Sequence, residues 1–471
     1  MMRREFLWAC LASNVWLSVM AFNNNASLIR QFSNYAVPTV LAAWVYCMHS
    51  VISGIFIGRH VGPDALAALN VLVPLLYLPY AFSVMIGVGG STLVSRLLGE
   101  QRERDAAEAF TQALWLLGLC GVTFAMAIHF YADTFVQWTG ARGELALLAK
   151  DFLHAYAPFV LFPTACYALE LFLRIEGAAK FGLVCLIAGG TADVALTWWM
   201  VSHMQWGMRG AALASGISQA LACMPMLAYH FVKARHVRPV AHAFTRLDHA
   251  WRMAYNGASE FLGEIAPSVT LFAFNHAVLR WLGDTGLVAF AVVEYMTMIA
   301  SVMMVALVQS MQPIVSFQRG AGNAHAVSRA FSIGVIVTAG FALAAAFAIL
   351  ALAQPLGALF VPDSPAAQAL LRDALPWCAL AFLPAAINVA ISGYLTAIEA
   401  PLASMIVALL RSWLLLLSML WLLTEWFGPR GIWMTVAITE LATLALSIVL
   451  YRTRGRRFEL PAPATTNQAL L

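Results

Sequence analysis

The sequence predicts an all-α polytopic membrane protein, with twelve transmembrane helices arranged as two parallel six-helix repeats around a central cleft. Three observations carry the prediction. Of 471 residues, 62% are hydrophobic and only 11% are charged, whereas an ordinary soluble chain carries about 25% charged residues. Apolar runs of about 20 residues, enough to cross a hydrocarbon core of about 30 Å, recur along the whole chain with short connections between them. The two halves also match each other at an ungapped offset of 221 residues.

Residues 1–27 form an N-terminal extension. Arg3-Arg4 followed by the apolar residues 6–22 resembles the charged and apolar parts of a signal peptide. Only Asn23-Asn24-Asn25 follows, with no small-residue cleavage site. A thirteenth span would break the charge bias described below, so the extension is expected to be dispensable, with Met20 as an alternative start. Apolar runs centred near residues 47, 78, 120, 161, 192 and 221 make the N-lobe, residues 28–235. Residues 236–252 are polar and connect the lobes. Runs centred near 267, 299, 341, 384, 414 and 441 make the C-lobe, residues 253–452, and residues 453–471 are a tail. There is no room for a soluble domain, and so apolar a chain is not intrinsically disordered.

The repeat rests on residues whose coincidence is costly. Arg59, Gly62, Leu66 and Ala68 meet Arg280, Gly283, Leu287 and Ala289. Ser95, Gly99, Ala109 and Phe110 meet Ser316, Gly320, Ala330 and Phe331, and Gly207, Arg209 and Gly210 meet Gly428, Arg430 and Gly431. Six spans is an even number, so the halves share one orientation. Parallel repeats related by an axis along the membrane normal place a substrate site between them.

Net charge is +4, with the basic residues in short clusters between apolar runs rather than in a patch, which is the pattern of a polytopic membrane protein and not of a nucleic-acid binder. Cys10, Cys47, Cys120, Cys166, Cys185, Cys223 and Cys378 are scattered, odd in number and without a CxxC pair. Neither a metal site nor a disulfide framework is expected, and no cofactor. Gly87, Gly89 and Gly90 have no preceding strand and no following Lys-Ser/Thr. They read as close helix packing, like the GxxxG pair Gly54 and Gly58, and not as a phosphate loop.

The segments Gly54-Ile-Phe-Ile-Gly58-Arg59, Val61-Gly62-Pro63, Gly87-Val-Gly-Gly90-Ser91 and Ser95-Arg96-Leu-Leu-Gly99 resemble the first helix pair of the multidrug and toxic compound extrusion (MATE) family. Glu260-Phe-Leu-Gly-Glu264, Phe274-Asn275, Gln309-Ser-Met-Gln312-Pro313, Leu395-Thr-Ala-Ile-Glu399, Leu409-Leu-Arg411 and Gly431-Ile-Trp433 are similar to its MepA-type branch. The resemblance runs from about residue 28 to residue 452. It implies two six-helix lobes, a central cleft, a bacterial cytoplasmic membrane, and export of bulky, often cationic compounds against entering H⁺ or Na⁺. With a family-like start placed inside, 19 of the 27 Lys and Arg fall in inner segments, 7 fall in outer loops, and Arg411 lies within a span. That bias puts both termini in the cytoplasm. A monomer in the lipid bilayer is expected.

Ionisable residues inside a membrane are costly, and function is their default reading. Glu260 and Glu264 lie four apart, on one helix face. Glu264 is nine residues in from Tyr255, or about 14 Å at 1.5 Å per residue. Pro267 lacks an N–H, which frees the carbonyl of Gly263 beside it. The alternative is a neutral, hydrogen-bonded Glu at a packing contact. Asp193 is the acid of the fifth span. Where relatives often carry carboxylates, Ser53 and Thr197 stand here, which weakens a coupling site in the first lobe. Glu440 in the last helix is a further ion-coupling candidate, and Glu294 and Glu170 are further acids, each open to capture by a neighbouring hydroxyl or Arg. Arg411 reads as a structural counter-charge. Asn275, Gln309, Gln312, Glu294, Asn388 and Tyr394 are candidates to line the cleft, or equally to hydrogen-bond between helices. His49 and His276 read as packing residues. The 28 Phe, 12 Tyr, 15 Trp and 20 Met suit a cleft that accepts organic cations, but membrane proteins are rich in them anyway.

Nothing resembles a nucleotide-binding motif, so an ion gradient must drive transport, and no motif such as HExxH marks an enzyme. The expected function is a secondary antiporter for amphipathic, cationic drugs or toxins. H⁺ is expected rather than Na⁺, because two carboxyl groups sharing one buried face favour holding a proton between them. The alternatives are a flippase for a lipid-linked saccharide, which would want a strongly basic cleft, and a non-transport scaffold, for which buried carboxylates in paired repeats are costly.

Overall fold

The computed structural model describes residues 25–241, 248–352, 355 and 364–456. The N-terminal extension up to residue 24, residues 242–247 of the loop between the lobes and residues 457–471 of the tail lie outside the described residues. Every regular element among the described residues is helical. In chain order they are α1 (Asn25–His60), α2 (Pro63–Gly99), α3 (Glu103–Trp138), α4 (Gly143–Tyr156), α5 (Leu161–Ile175), α6 (Ala179–Thr197), α7 (Gly207–Val232), α8 (Asp248–Gly320), α9 (Ala324–Ala351), α10 (Pro365–Ala397), α11 (Pro401–Leu409), α12 (Leu415–Phe427) and α13 (Pro429–Leu450).

Proline and glycine account for the departures from simple rods. The fourth span is a bent pair. α4 and α5 meet at 52° across the short turn Ala157–Phe159, where Pro158 has no N–H to continue the ladder. α6 runs on through a π-helical turn, Trp198–His203, and α11 joins α12 through another, Leu410–Leu414. α8, at 73 residues, would be about 110 Å long if straight, far more than one crossing. It breaks at Gly283, whose φ of 63° lies in the left-handed region that favours glycine. Ten helices are long and apolar enough to span, and the bent pair makes eleven. Counting the two arms of α8 separately gives the twelve spans expected.

Each lobe has its own core. Phe110 and Phe172 meet at 4.9 Å, near-perpendicular, among buried residues of α2, α3, α5 and α7. Phe274 stacks on Phe290 at 5.5 Å among buried residues of α8, α9, α10 and α13. α1 belongs to both. Leu28, Phe32 and Ala36 are buried among residues of α8, α9 and α10, whereas beyond Pro38 the same helix runs along α6, with Val45 and His49 against Gly190.

The sequence repeat reappears as a two-fold contact. A Cβ on Gly99 would strike the carbonyl of Phe317, and one on Gly320 would strike the carbonyl of Arg96. Both pairs are equivalent under the offset of 221, so the two glycines make the same contact reciprocally. Gly89 against the Met253 carbonyl and Gly257 against that of Met85 extend the backbone-to-backbone seam between α2 and the first arm of α8. By contrast, Gly54 and Gly58 meet only the Leu66 side chain, at ordinary distances of 4.0 and 3.7 Å. The packing expected of that GxxxG pair is loose.

Candidate functional site

The site is a seam that is closed at one end. At that end Arg96 of α2 pairs with Glu399, in the turn after α10, and Arg319 lies 3.6 Å from the same carboxylate. Arg96 also pairs with Glu100 at 2.5 Å. The pair of Arg96 with Glu399 is the contact between the lobes, and Glu399 joins Arg96 of one lobe to Arg319 of the other. Behind the ion pairs comes the glycine seam, then a polar layer. Asn256 donates to Thr92 Oγ1 (2.9 Å) and to the Thr396 carbonyl (3.0 Å), and Ser316 donates to the Ala397 carbonyl (2.9 Å). These bonds satisfy buried polar groups that would otherwise be costly.

Ser259, 3.3 Å from Thr396 Oγ1, belongs to the same layer, and Glu260 follows it along α8. Gln312, from the second arm of the same helix, donates to its Oε1 at 3.2 Å and also reaches the Gly393 carbonyl at 3.4 Å. One turn further is Glu264, half-buried. Among the described residues its carboxylate has no hydrogen bond or ion pair to another side chain. The carbonyl of Leu262 accepts from the indole of Trp413 at 3.1 Å, and a Cβ on Gly263 would meet open space. The helices touch backbone to backbone at Gly257, and one turn on the contact is between rings, Phe261 with Phe82 at 4.9 Å.

The other acids are engaged. Asp193 is 3% exposed and accepts from Ser53 Oγ (2.5 Å) and Ser218 Oγ (3.1 Å), tying α6 to α1 and α7. Thr197 is buried one turn along the same helix. Glu440 accepts from Arg411 Nε at 2.6 Å and from Asn388 Nδ2 at 2.8 Å. Arg411 is thus its counter-charge, and it also lies within electrostatic reach of Glu260. Glu170 is held by Arg174 in a fully buried pair. Glu294, half-buried on the second arm of α8, lies near the thiol of Cys378.

The candidate lining residues divide. Gln312 touches Glu260, Asn275 is half-buried, and Gln309 is buried. Asn388 is enclosed against Glu440. Tyr394 is sealed in the core with Phe331 and Tyr451, its hydroxyl donating to the Gly455 carbonyl at 3.3 Å.

Sequence reasoning missed a cluster of tyrosines: Tyr80 stacks on Tyr46 at 6.2 Å and meets Tyr77 and Tyr167 edge-on at 6.0 and 5.4 Å. The only signal was the spacing of Tyr77 and Tyr80, three apart and so on one face of α2. Tyr46 and Tyr167 come from helices distant in sequence.

The chain is similar to known proteins over nearly its whole length. The MatE family model matches residues 14–199 and 261–422. The multidrug export protein MepA of Staphylococcus aureus (strain MRSA252) is 23% identical over 457 residues, covering 91% of this chain and 95% of that protein. MepA of Staphylococcus saprophyticus is 21% identical over 445 residues, covering 92% and 95%. Among solved structures, a transporter of the MOP superfamily from Pyrococcus furiosus superposes with a TM-score of 0.85 at 20% identity, covering 91% of this chain and 96% of that one. A multidrug resistance MATE transporter in an outward-facing conformation superposes with a TM-score of 0.85 at 19% identity, over the same shares. The two lobes, the glycine seam between them and the match over both halves lead to one conclusion: the chain is a multi-pass membrane protein that belongs to the MatE family.

Proposed function

We propose that this chain is a secondary antiporter that exports amphipathic, cationic drugs or toxins in exchange for H⁺. The observation that carries the reading is a pair of acids on one face of a spanning helix: Glu264, half-buried and without a side-chain hydrogen bond or ion pair among the described residues, and Glu260 one turn away. The similarity to MepA, named as a multidrug export protein, supports the substrate class. A carboxyl group that alternately holds a proton and faces a cation gives the two cleft states different affinities, which is what a coupled exporter requires. One charge crossing 100 mV supplies about 2.3 kcal/mol, a concentration ratio of roughly 50 at 1.4 kcal/mol per decade. That suffices against a slowly leaking compound. A flippase for a pyrophosphate-linked sugar would want free basic groups in the cleft, but the Arg placed within a span by the sequence, Arg411, is bound to Glu440.

The protein is read as a monomer in a bacterial cytoplasmic membrane with both termini inside, so the closed basic end faces the cytoplasm. The experiment is transport in proteoliposomes with imposed pH or Na⁺ gradients and a panel of cationic dyes. Dye efflux driven by the pH gradient is expected. Efflux on a Na⁺ gradient without a pH gradient would refute H⁺ coupling, and no gradient-driven efflux of any dye would refute export. Cysteines at Asp248 and Asp284, both exposed, test orientation. The first should need a permeant reagent and the second should not, and the reverse pattern would invert the topology.

A further inference from the structure

Glu440 is enclosed in the C-lobe, and its surroundings are rich in oxygen. Asn388 of α10 donates through Nδ2 to Oε2 and to the main-chain carbonyl of Glu440, both at 2.8 Å. That pins the amide, and the other end of the same amide, Oδ1, is buried with no donor among the described residues. Along α13, Thr435 donates back to the Gly431 carbonyl at 2.8 Å. Thr439 and Thr443 follow it along that helix and are as deeply buried, yet their hydroxyls have no partner among the described residues. Thr439 adjoins Glu440 in sequence, and Thr443 lies one turn beyond it on a neighbouring stripe. A carboxylate, an amide oxygen and two hydroxyls are thus supplied by two helices packed on each other, and each unpaired oxygen is costly to bury.

One positive charge answers them. Arg411 donates through Nε to Glu440 Oε1 at 2.6 Å. It comes from the π-helical turn Leu410–Leu414, and Trp413 of the same turn donates to the Leu262 carbonyl at 3.1 Å. The turn is thereby fixed against α8 while its guanidinium is delivered to α13. The side chain of Glu440 is 6% exposed and that of Arg411 26%, so the acid lies deeper than the charge that meets it.

We infer that Arg411 is a resident cation, filling the place beside Glu440 and Asn388 that a metal ion such as Na⁺ would otherwise take, and so closing the interior of the C-lobe to metal ions. Hard metal ions are held by shells of carboxylate and amide oxygens, which are the groups that α10 and α13 offer. A guanidinium keeps its charge throughout the physiological pH range, and this one is tethered. Glu440 is therefore neutralised permanently and gives up no ion during transport. The acids left to exchange are Glu264 and Glu260. A proton needs a single oxygen there, whereas a metal ion needs several.

The inference deepens the H⁺ reading above and is tested apart from it. Melting temperatures of the full chain in detergent are compared in NaCl and in choline chloride of equal concentration. The unmodified protein should melt alike in both. Arg411→Ala removes the tethered charge and leaves the oxygens, so Na⁺ should raise its melting temperature by about 5 °C. Arg411→Lys keeps a charge and should respond no more than the unmodified protein. Arg411→Ala/Glu440→Gln, with the acid gone as well, should lose the response. If Arg411→Ala folds in neither salt, Arg411→Gln takes its place. No Na⁺ response in the folded variant would overturn the inference, and so would an equal response in the unmodified protein. Failure of both variants to fold in NaCl would overturn it too, since a small cation could then not replace the guanidinium. Dye efflux on a Na⁺ gradient in the unmodified protein, with Na⁺ stabilising only Arg411→Ala, would sink the H⁺ reading and keep the resident cation, because the coupling ion would then bind elsewhere.

Discussion

Asp193 and Glu264 are both acids placed in mid-span, and their surroundings are opposite. Asp193 is 3% exposed with a hydroxyl donor on each oxygen, from Ser53 and Ser218. Those bonds hold three helices together and leave little for an exchanging ion to gain. Glu264 is half-buried and has no side-chain hydrogen bond or ion pair among the described residues. Glu264→Gln is therefore expected to abolish uphill export while the protein folds and still binds dye, and Asp193→Asn to weaken export only in part. Export near wild type in the first variant and none in the second would move coupling to the other lobe. Glu440 is different again. Its carboxylate is the partner of Arg411, and removing one member of a buried pair costs about 3–5 kcal/mol because the other charge is left behind. Glu440→Gln should lower the melting temperature in detergent clearly, with Arg411→Gln/Glu440→Gln recovering part of the loss. An unchanged melting temperature in the single variant would show the pair to be dispensable.

The helix pair α2 and α8 is the element on which the site depends. Gly89, Gly99, Gly257 and Gly320 let two backbones touch along the closed half of the seam, and the same contacts set the register that brings Phe261 against Phe82. A side chain at Gly257 has nowhere to go, since the atom it meets is a main-chain carbonyl that cannot rotate aside. Gly257→Val should cost about 1–3 kcal/mol, as overpacking does. Gly263→Ala, into open space, should be neutral or slightly stabilising, because alanine is the better helix former by up to about 1 kcal/mol. Melting temperatures of the two variants, measured side by side, check the contrast. Equal destabilisation would mean that the seam is not held by close approach.

At the scale of the whole molecule, the lobes are joined at one end by backbone contacts and an ion-pair cluster. The joint is the reciprocal contact of Gly99 and Gly320 together with the ion pairs of Arg96 and Arg319 to Glu399. Alternating access requires that this joint can release. Since Glu399 is the acid shared by an arginine from each lobe, Glu399→Gln should raise the population open at the basic end. Spin labels at Arg104 and His325, exposed and equivalent under the repeat, should then show a longer component in their distance distribution. A distribution identical to that of the unmodified protein would exclude Glu399 as the latch.

How much was legible in the sequence depended on whether the cause was local. The spans follow from runs of apolar residues, the breaks from Pro158 and Gly283, and the two-lobe plan from a repeat that any reader can align. Each is written in contiguous residues, because membrane insertion and backbone freedom are decided over one or two helical turns. The repeat even carried tertiary information: Gly99 and Gly320, matched as letters, are partners in one contact. Which acid is free was not legible. Asp193, Glu264 and Glu440 look alike in sequence, and their difference lies in Ser53, Ser218, Asn388 and Arg411, which reach them from other helices. Tyr394 and Asn388, polar residues read as candidates for the cleft, are enclosed by packing for the same reason. The tyrosine cluster is the clearest case. Its rings come from α1, α2 and α5, and their contacts with one another exist only once those helices have packed.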